Sequence, residues 1–438
     1  MSPTNIDERQ LEQQAAAALR AAGFPFVQID VLLPGLGKKR GMQADVVAWD
    51  VTEEGELRPR ILVETKQAFG ARFQLKHGTP SAGVLQQLAG YANVLGTREN
   101  YVFDETGWHE VGPGFDEIIG TQRPEPWGNE LRGEWPANLV NQLVVSALWK
   151  AADSVRGEAP REELGWRSLR RLLNRAVHGD GTETGLDALL SSKAGSAAVL
   201  RALLENGLPK FRGPHSYETP WPLADAMSRL AAPRDGDTVL DPFCGVGTCL
   251  WNIASHAADL SLRGVDLDEA TAELARSLAD FGRLRAEILT QDSLAERDHA
   301  PADVLITSPP LGYKLPGPLK LTAGGQTRDG DFAILDRVPG WLKPGGRAVL
   351  LMAPGTLFRS QGVRVRAHVQ DQLRVVAVVG LPAGILAPAT MIPLSLIVLE
   401  KRAESETLVA RLGDDWEDQL SRGGEFFRAY LAHLIDPS

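Results

Sequence analysis

Two groups of residues in this 438-residue chain have the types and spacing of a reaction site. The first lies near the N-terminus. Gln43-Ala-Asp45-Val-Val-Ala-Trp49 is followed, after a polar turn, by Ile61-Leu-Val-Glu64-Thr-Lys66. Read as a hairpin, Asp45 begins one strand, and Glu64 and Lys66 share a face of the next, because strand side chains alternate. Two carboxylates converging beside a lysine suit a hard cation such as Mg2+. Such a cation polarises a scissile phosphate while the lysine orients or deprotonates a water. The flanks VVAW and ILVE are apolar, so these charges emerge from a buried sheet. Just upstream, Lys38, Lys39 and Arg40 form a basic loop that either contacts phosphates or is simply solvated.

The second group lies in the C-terminal half. Asp241-Pro-Phe-Cys-Gly245-Val-Gly247-Thr248 follows an apolar strand, TVL, and precedes a helical pattern, CLWNIASHAA. Gly245 and Gly247 allow a tight turn and a close backbone approach to a ligand. LRGVD ends in Asp266, placed to accept hydrogen bonds from two ribose hydroxyls. Asp292, in Gln291-Asp-Ser293, is placed to accept from an adenine amino group. Acidic residues at three successive strand ends point to an adenosine-containing ligand. A dinucleotide is the rival, but the loop is not G-x-G-x-x-G and its aspartate would repel a pyrophosphate. DVLIT then runs into Ser308-Pro309-Pro310, a rigid corner presenting backbone carbonyls and one hydroxyl. Paired acceptors of that kind hold an exocyclic amine and aim its lone pair at an electrophilic methyl. Alignment then supplies much of the rate.

The elements that must position these groups are legible in the periodicity. Residues 1–125 read as helix, strands and helix, and Pro124–Trp135 as a connector rich in Pro, Gly and charge. Between 126 and 207 the segments LVNQLVVSALWKAA, WRSLRRLLNRAV and AAVLRALLENG carry apolar residues at helical spacing. Over 208–401, the runs TVLD, LRGVD, DVLIT, RAVLLMA, VVAVVGL and LSLIVLE alternate with helical stretches, the rhythm of a parallel α/β sheet. The remainder, 402–438, contains a helical segment, EFFRAYLAHLI.

Composition sets limits. Hydrophobic residues at 43% and charged residues at 23% support packed domains rather than disorder. No stretch approaches the length of apolar chain that spans a bilayer, and the N-terminus lacks a secretory pattern. Two cysteines build no disulfide framework, so a reducing cytoplasm is the expected compartment. A net charge of −10 excludes a non-specific nucleic-acid coat but not a DNA enzyme with its basic residues confined to a cleft.

The stretch from about 211 to 401 resembles the modification subunit of type I restriction systems and related gamma-class adenine-N6 DNA methyltransferases. Ser216-Tyr217-Glu-Thr219-Pro220 resembles the leading S-adenosylmethionine motif. DPFCGVGT, GVDLD and QDS resemble motifs I, II and III, and TSPPL the catalytic motif IV. WLKPGGRAVLLMAPGTLFR, VVAVVGLPAGIL and ATMIPLSLIVLEK continue in the family's order. The resemblance implies S-adenosylmethionine held by Tyr217, Thr219, Asp241, Phe243, Gly245, Gly247, Asp266 and Asp292, with Ser308, Pro309 and Pro310 at the catalytic corner. The family has Asn or Asp where this chain has Ser308, and an aromatic where it has Leu311. Adenine and cytosine targets stay open, as does a weakened enzyme that only binds cofactor. Tyr313, two residues on, is the candidate to stack on a flipped base.

The N-terminal half resembles the PD-(D/E)xK nuclease fold, in particular the nuclease of type I restriction subunits. Asp45, Glu64 and Lys66 match its core, with Ala44 replacing the motif proline. Gln87-x-x-x-Tyr91 matches a companion helix that meets DNA, and Glu12 lies on the helix before the first strand. The resemblance implies Mg2+ held by Asp45 and Glu64.

Together these features lead us to expect an α/β protein in three parts with a tail. These are a restriction-endonuclease-like domain (1–125), a helical connector (126–207), a Rossmann-like S-adenosylmethionine-dependent methyltransferase domain (208–401) and a helical tail (402–438). The expected function is a restriction–modification or phage-defence protein that methylates double-stranded DNA and cuts it. Some 37 residues follow the last motif, so sequence specificity is expected from a DNA-specificity or other defence subunit. The alternative is a catalytically weakened methyltransferase that gates the nuclease. No membrane partner is expected.

Overall fold

The computed structural model describes residues 7–33, 43–69, 80–129, 193–207, 219–295, 300–387, 390–401 and 406–435, with scattered positions in 135–147 and 186–189. The chain divides into two compact units.

The first unit is built on a sheet ordered β1-β2-β3-β4-β5-β6. The strands are β1 (Phe26–Leu32), β2 (Gln43–Val51), β3 (Leu57–Thr65), β4 (Glu99–Asp104), β5 (Gly107–Val111) and β6 (Ile118–Gly120). Helix α1 (Glu8–Ala22) opens in a capping box, with Gln10 answering Asp7, and stops at Gly23 in the left-handed region (φ 99°). Its buried stripe Leu11, Ala15, Ala16 and Leu19 recurs at helical spacing. Ala15 and Leu19 pack with Val46, Ala48, Ile61, Val63 and Tyr101 to form the core. β2 and β3 are antiparallel with Val46 opposite Val63. Because side chains alternate, burying Val46 and Val63 under α1 turns Asp45 and Glu64 to the other face. One step along the same register sets Asp45 opposite Glu64. β3 is parallel to β4, and the crossover between them contains α2 (Pro80–Leu95).

The second unit has an eight-stranded sheet ordered β16-β14-β15-β13-β10-β7-β8-β9. Its strands are β7 (Thr238–Asp241), β8 (Ser261–Asp266), β9 (Ala286–Thr290), β10 (Ala302–Thr307), β13 (Leu342–Met352), β14 (Arg374–Leu381), β15 (Leu394–Glu400) and β16 (Leu408–Arg411). β10 pairs in parallel with both β7 and β13, and β7-β8-β9 continue in parallel. The described helices include α3 (Trp221–Ala231), α4 (Thr248–Ile253), α5 (Glu269–Phe281), α6 (Gly330–Trp341), α7 (Val363–Gln372) and α8 (Glu425–Ile435). Each run read as a strand is one, but the sheet is mixed rather than parallel. β15 runs antiparallel to both β13 and β14, a reversal that an apolar run does not encode. The tail is not purely helical either. β16 adds the edge strand beside β14, and its four residues alternate between half-buried and exposed, too short a pattern to stand out.

A separate hairpin, β11 (Lys314–Lys320) and β12 (Gln326–Asp329), follows β10. α6 anchors its turn. Asp336 accepts hydrogen bonds from the Thr322 and Ala323 amides at 2.7 and 2.8 Å, and the neighbouring Arg337 donates to the Lys320 carbonyl at 3.1 Å. Asp336 and Arg337 are themselves a buried ion pair at 2.6 Å.

Of the expected connector, the described positions between 137 and 147 are helical, as is Lys193–Ala202. WRSLRRLLNRAV lies outside the described residues. Among the described residues no helix is long and apolar enough to cross a membrane.

Candidate functional site

In the first unit, Asp45, Glu64 and Lys66 come together. Asp45 Oδ2 accepts from both the amide and the hydroxyl of Thr65, at 2.7 and 2.9 Å. Lys66 Nζ stands 3.3 Å from Glu64 Oε1 and 3.6 Å from Glu8 Oε1. Glu64 is only 1% exposed, and among the described residues neither of its oxygens has an aligned hydrogen bond. Its contact with Lys66 is a loose ion pair. A buried carboxylate so poorly satisfied is costly, and the cost falls on its charged form. Burial, reinforced by Asp45, pushes the Glu64 pKa up to about 7. Glu12 is pushed up to about 7 as well, by burial and then by Asp45 and Asp30. Burial also raises Asp45. Burial alone would lower Lys66, but Glu64, Asp45 and Glu8 more than offset it and hold the ammonium charged. Three mutually interacting carboxyls that resist ionisation are the electrostatic pattern of a site short of positive charge.

Gln87 and Tyr91 lie one turn apart on α2, where Gln87 Nε2 donates to the Tyr91 hydroxyl at 2.7 Å. Glu64, Asp45 and Lys66 all influence the Tyr91 hydroxyl, which burial raises above its ordinary pKa. Lys38, Lys39 and Arg40 lie outside the described residues. Among the described residues no group of three or more His, Cys, Asp or Glu side chains is arranged to hold a metal ion. Asp45 and Glu64 are a pair, and Mg2+ is commonly held by one or two carboxylates with water completing its shell.

In the second unit the sheet order β9-β8-β7-β10 lines up Asp292, Asp266, Asp241 and Ser308 along one carboxyl edge, each at or just after its strand's end. The Gly245 amide donates to Asp266 Oδ2 at 2.9 Å, and the Asp268 amide donates to Oδ1 at 2.9 Å. Asp292 Oδ1 accepts from the Leu294 amide at 2.9 Å. Ser293, which the sequence did not single out as a functional residue, donates its hydroxyl to the Pro242 carbonyl at 2.6 Å and ties the glycine loop to the third acidic turn. Asp241 is 1% exposed; burial lifts its pKa to about 7 against the pull of Thr307 and the Phe243 amide. Phe243 is edge-on to Trp341 with ring centroids 6.2 Å apart. Thr219 hydrogen-bonds the Cys249 thiol in the first turn of α4. Tyr217 lies outside the described residues.

The two loop glycines have different reasons to be there. Gly245 (φ 56°) has nothing within 4 Å of where a Cβ would stand, so its outer face is open. At Gly247 (φ 88°) a Cβ would collide with the Trp251 indole, so packing at the start of α4 requires that glycine. Trp251 is pinned there by donating to the Val246 carbonyl at 2.7 Å.

At the corner after β10, Ser308 and Leu311 are half-buried, Pro309 is buried and Pro310 is exposed. The Tyr313 ring packs on Gly330, where a Cβ would collide with it, and against the sheet's core. Burial, Asp292 and Asp331 push its hydroxyl up to about 12.

Residues 211–416 match the family profile of the N-6 DNA methylases. The second unit carries an N-6 DNA methylase domain. An uncharacterized Bacillus subtilis protein, YtxK, is 25% identical over 204 residues, 44% of this chain and 60% of its own. The tRNA (guanine(10)-N2)-dimethyltransferase of Methanothermobacter thermautotrophicus is 30% identical over 151 residues, 34% of this chain and 43% of its own. The type I restriction enzyme EcoEI methylase subunit of Escherichia coli is 23% identical over 208 residues, 42% of each chain. The chain thus spans less than two thirds of the curated relatives it matches. A candidate class I S-adenosylmethionine-dependent methyltransferase from Listeria monocytogenes superposes with a TM-score of 0.51 at 20% identity, over 68% of this chain and 99% of that one. The N-6 DNA methylase domain therefore has the fold of an S-adenosylmethionine-dependent methyltransferase.

Proposed function

We propose that the N-6 DNA methylase domain transfers a methyl group from S-adenosylmethionine to the exocyclic amine of a DNA base, adenine N6 first among the targets. One observation carries this reading: Asp292, Asp266, Asp241 and Ser308 occupy one continuous sheet edge in the order a nucleoside and then an acceptor would need. The open face of Gly245 and the buried Asp241 carboxylate fit a cationic nucleoside. When bound, the cofactor supplies a sulfonium methyl. Asp266 holds the ribose hydroxyls, Asp292 accepts from the adenine amine, and Ser308 with the backbone of Pro309 holds the target amine. Ser308 and the Pro309 backbone would orient the amine's lone pair towards that methyl, and the amine's proton would leave to solvent.

For the first unit we propose a Mg2+-dependent DNA endonuclease. Glu64 fits a divalent cation because it is buried and satisfied only by a loose ion pair with Lys66. Bound there, the metal would polarise a phosphodiester. Asp45 and Glu64 would hold it, Lys66 would orient the attacking water, and Gln87 and Tyr91 would contact the strand. The three-part division at 125, 207 and 401, a DNA-specificity or other restriction subunit as partner, and a cytoplasmic setting complete the proposal.

A second reading is favoured by Ser308 and Leu311, which depart from the usual corner. In it the domain binds cofactor without transferring methyl groups and licenses the nuclease. Incubating the purified chain with labelled S-adenosylmethionine and DNA, with and without a specificity subunit, separates the two. Label in DNA supports the enzyme, and tight cofactor binding without label supports the module. Label in RNA alone would overturn the DNA assignment.

A further inference from the structure

Ser308 offers one oxygen where related corners carry Asn or Asp. More of the alignment of a target amine then falls on the backbone of residues 308–313, so whatever fixes that backbone matters. The path is held from one side. Gly312 is in the left-handed region (φ 65°) and donates its amide to Asp331 Oδ1 at 2.9 Å. Asp331 is 1% exposed, in the first turn of α6. Its other oxygen accepts from Arg359 Nη2 at 3.1 Å. Arg359 Nη1 donates to Asp329 Oδ2 at 2.6 Å, and Lys314 Nζ donates to the same oxygen at 2.7 Å. The guanidinium lies over the Phe332 ring, 4.5 Å from its centroid. The Gly330 amide closes the set by donating to the Tyr313 carbonyl at 3.1 Å.

Arg359 follows the short helix Gly355–Phe358, which begins shortly after β13, and β13 pairs directly with β10. Its backbone is fixed in turn, since Arg366 of α7 donates to the Arg359 carbonyl at 2.9 Å. Two carboxylates, Asp329 and Asp331, meet two cations, Arg359 and Lys314, so the charges balance. The planar fork of arginine reaches both carboxylates at once, which a lysine cannot do.

We infer that Arg359 is a positioning residue for the amine-binding corner, acting through Asp331 on the Gly312 amide and through Asp329 on Lys314. The inference rests on the methyltransferase reading. Among the described residues, Arg359 has no hydrogen bond or ion pair with any of the five acidic or glycine positions assigned to the cofactor. It sets where the target amine sits, not whether S-adenosylmethionine binds.

The test compares Arg359→Gln, Arg359→Lys, Asp331→Asn and the Arg359→Gln/Asp331→Asn pair in the full-length protein. Single-turnover methyl transfer, calorimetric S-adenosylmethionine affinity, melting temperature and hydrogen–deuterium exchange are followed together. Arg359→Gln is expected to slow transfer at least tenfold, with cofactor affinity within twofold of the parent. Exchange should rise in 308–320 and stay unchanged in 238–250. Arg359→Lys should recover only part of the rate, and the double variant should be no slower than the worse single. Unchanged exchange in 308–320, or rate effects that simply multiply in the double variant, would overturn the inference. If the parent protein transfers no methyl group to any substrate, the methyltransferase reading fails, and the exchange data alone decide whether Arg359 sets the corner.

Discussion

The Gly245 amide and the Asp266 carboxylate are joined by a hydrogen bond of 2.9 Å. The glycine turn after β7 and the acidic tip of β8 are therefore one unit, and each holds the other in the shape a nucleoside would meet. Asp266→Ala removes both the ribose acceptor and this brace. We expect S-adenosylmethionine affinity to fall at least tenfold by calorimetry, with the melting temperature lowered only slightly. Unchanged affinity would refute the role given to Asp266.

Gly247→Ala and Gly245→Ala should behave differently although both glycines have positive φ. Alanine at either position bears the left-handed backbone cost of roughly 1–2 kcal/mol. At 247 the added methyl also meets the Trp251 indole, an overpacking cost of about 1–3 kcal/mol more. Urea denaturation should rank Gly247→Ala as clearly the less stable. At Gly245 the space is open, so that variant should keep its fold and lose cofactor affinity instead.

With the Asp241 carboxyl raised to about 7 by burial, cofactor binding is expected to depend on pH. The ionised form attracts a sulfonium and the protonated form does not. Affinity should fall as pH drops below about 7, by up to roughly tenfold per pH unit. Stability of the cofactor-free domain runs the other way. A carboxyl with a raised folded-state pKa contributes stability in acid, which is lost as pH rises from its unfolded value through about 7. Asp241→Asn should flatten both profiles, and a parent affinity that stays level from pH 6 to 8 would count against this coupling.

In the first unit, Glu64→Gln should abolish Mg2+-dependent DNA cleavage and yet stabilise the fold. The Glu64 pKa is raised to about 7, so its contribution to stability is lost as pH climbs through that value. At pH 8 the variant should be more stable by about 1–3 kcal/mol, the usual scale for a poorly satisfied buried polar group. Lys66→Ala should also lose cleavage while leaving S-adenosylmethionine affinity intact. Cleavage that survives both substitutions would remove the nuclease assignment.

Much of this was legible in the sequence because it is local. TVLD, LRGVD and DVLIT are apolar runs ending in acids or in Ser-Pro-Pro, and the structure ends β7, β8 and β10 there. Asp45 and Glu64 could be paired in advance because a hairpin's register follows from alternation. What escaped depends on tertiary approach. Asp329, Asp331 and Arg359 look like ordinary surface charges in the sequence, and only the fold brings Arg359 back to residues some thirty positions upstream. The sequence offers Tyr313 as a ring for stacking but does not show its packing on Gly330. The missing side chain at Gly330 lets it pack inward, a relation that no spacing rule encodes. The reversal of β15 is equally silent, since a buried apolar run reads the same in either direction.

Helix α6 touches the segment after β10 twice. Asp331, in its first turn, takes the Gly312 amide, and Asp336, more than a turn later, takes the turn of the β11–β12 hairpin. The two therefore share one rigid mount. A load that tilted the hairpin would therefore be felt at the Gly312 amide. In that mechanical sense the helix is a rocker arm between the hairpin turn and the corner after β10.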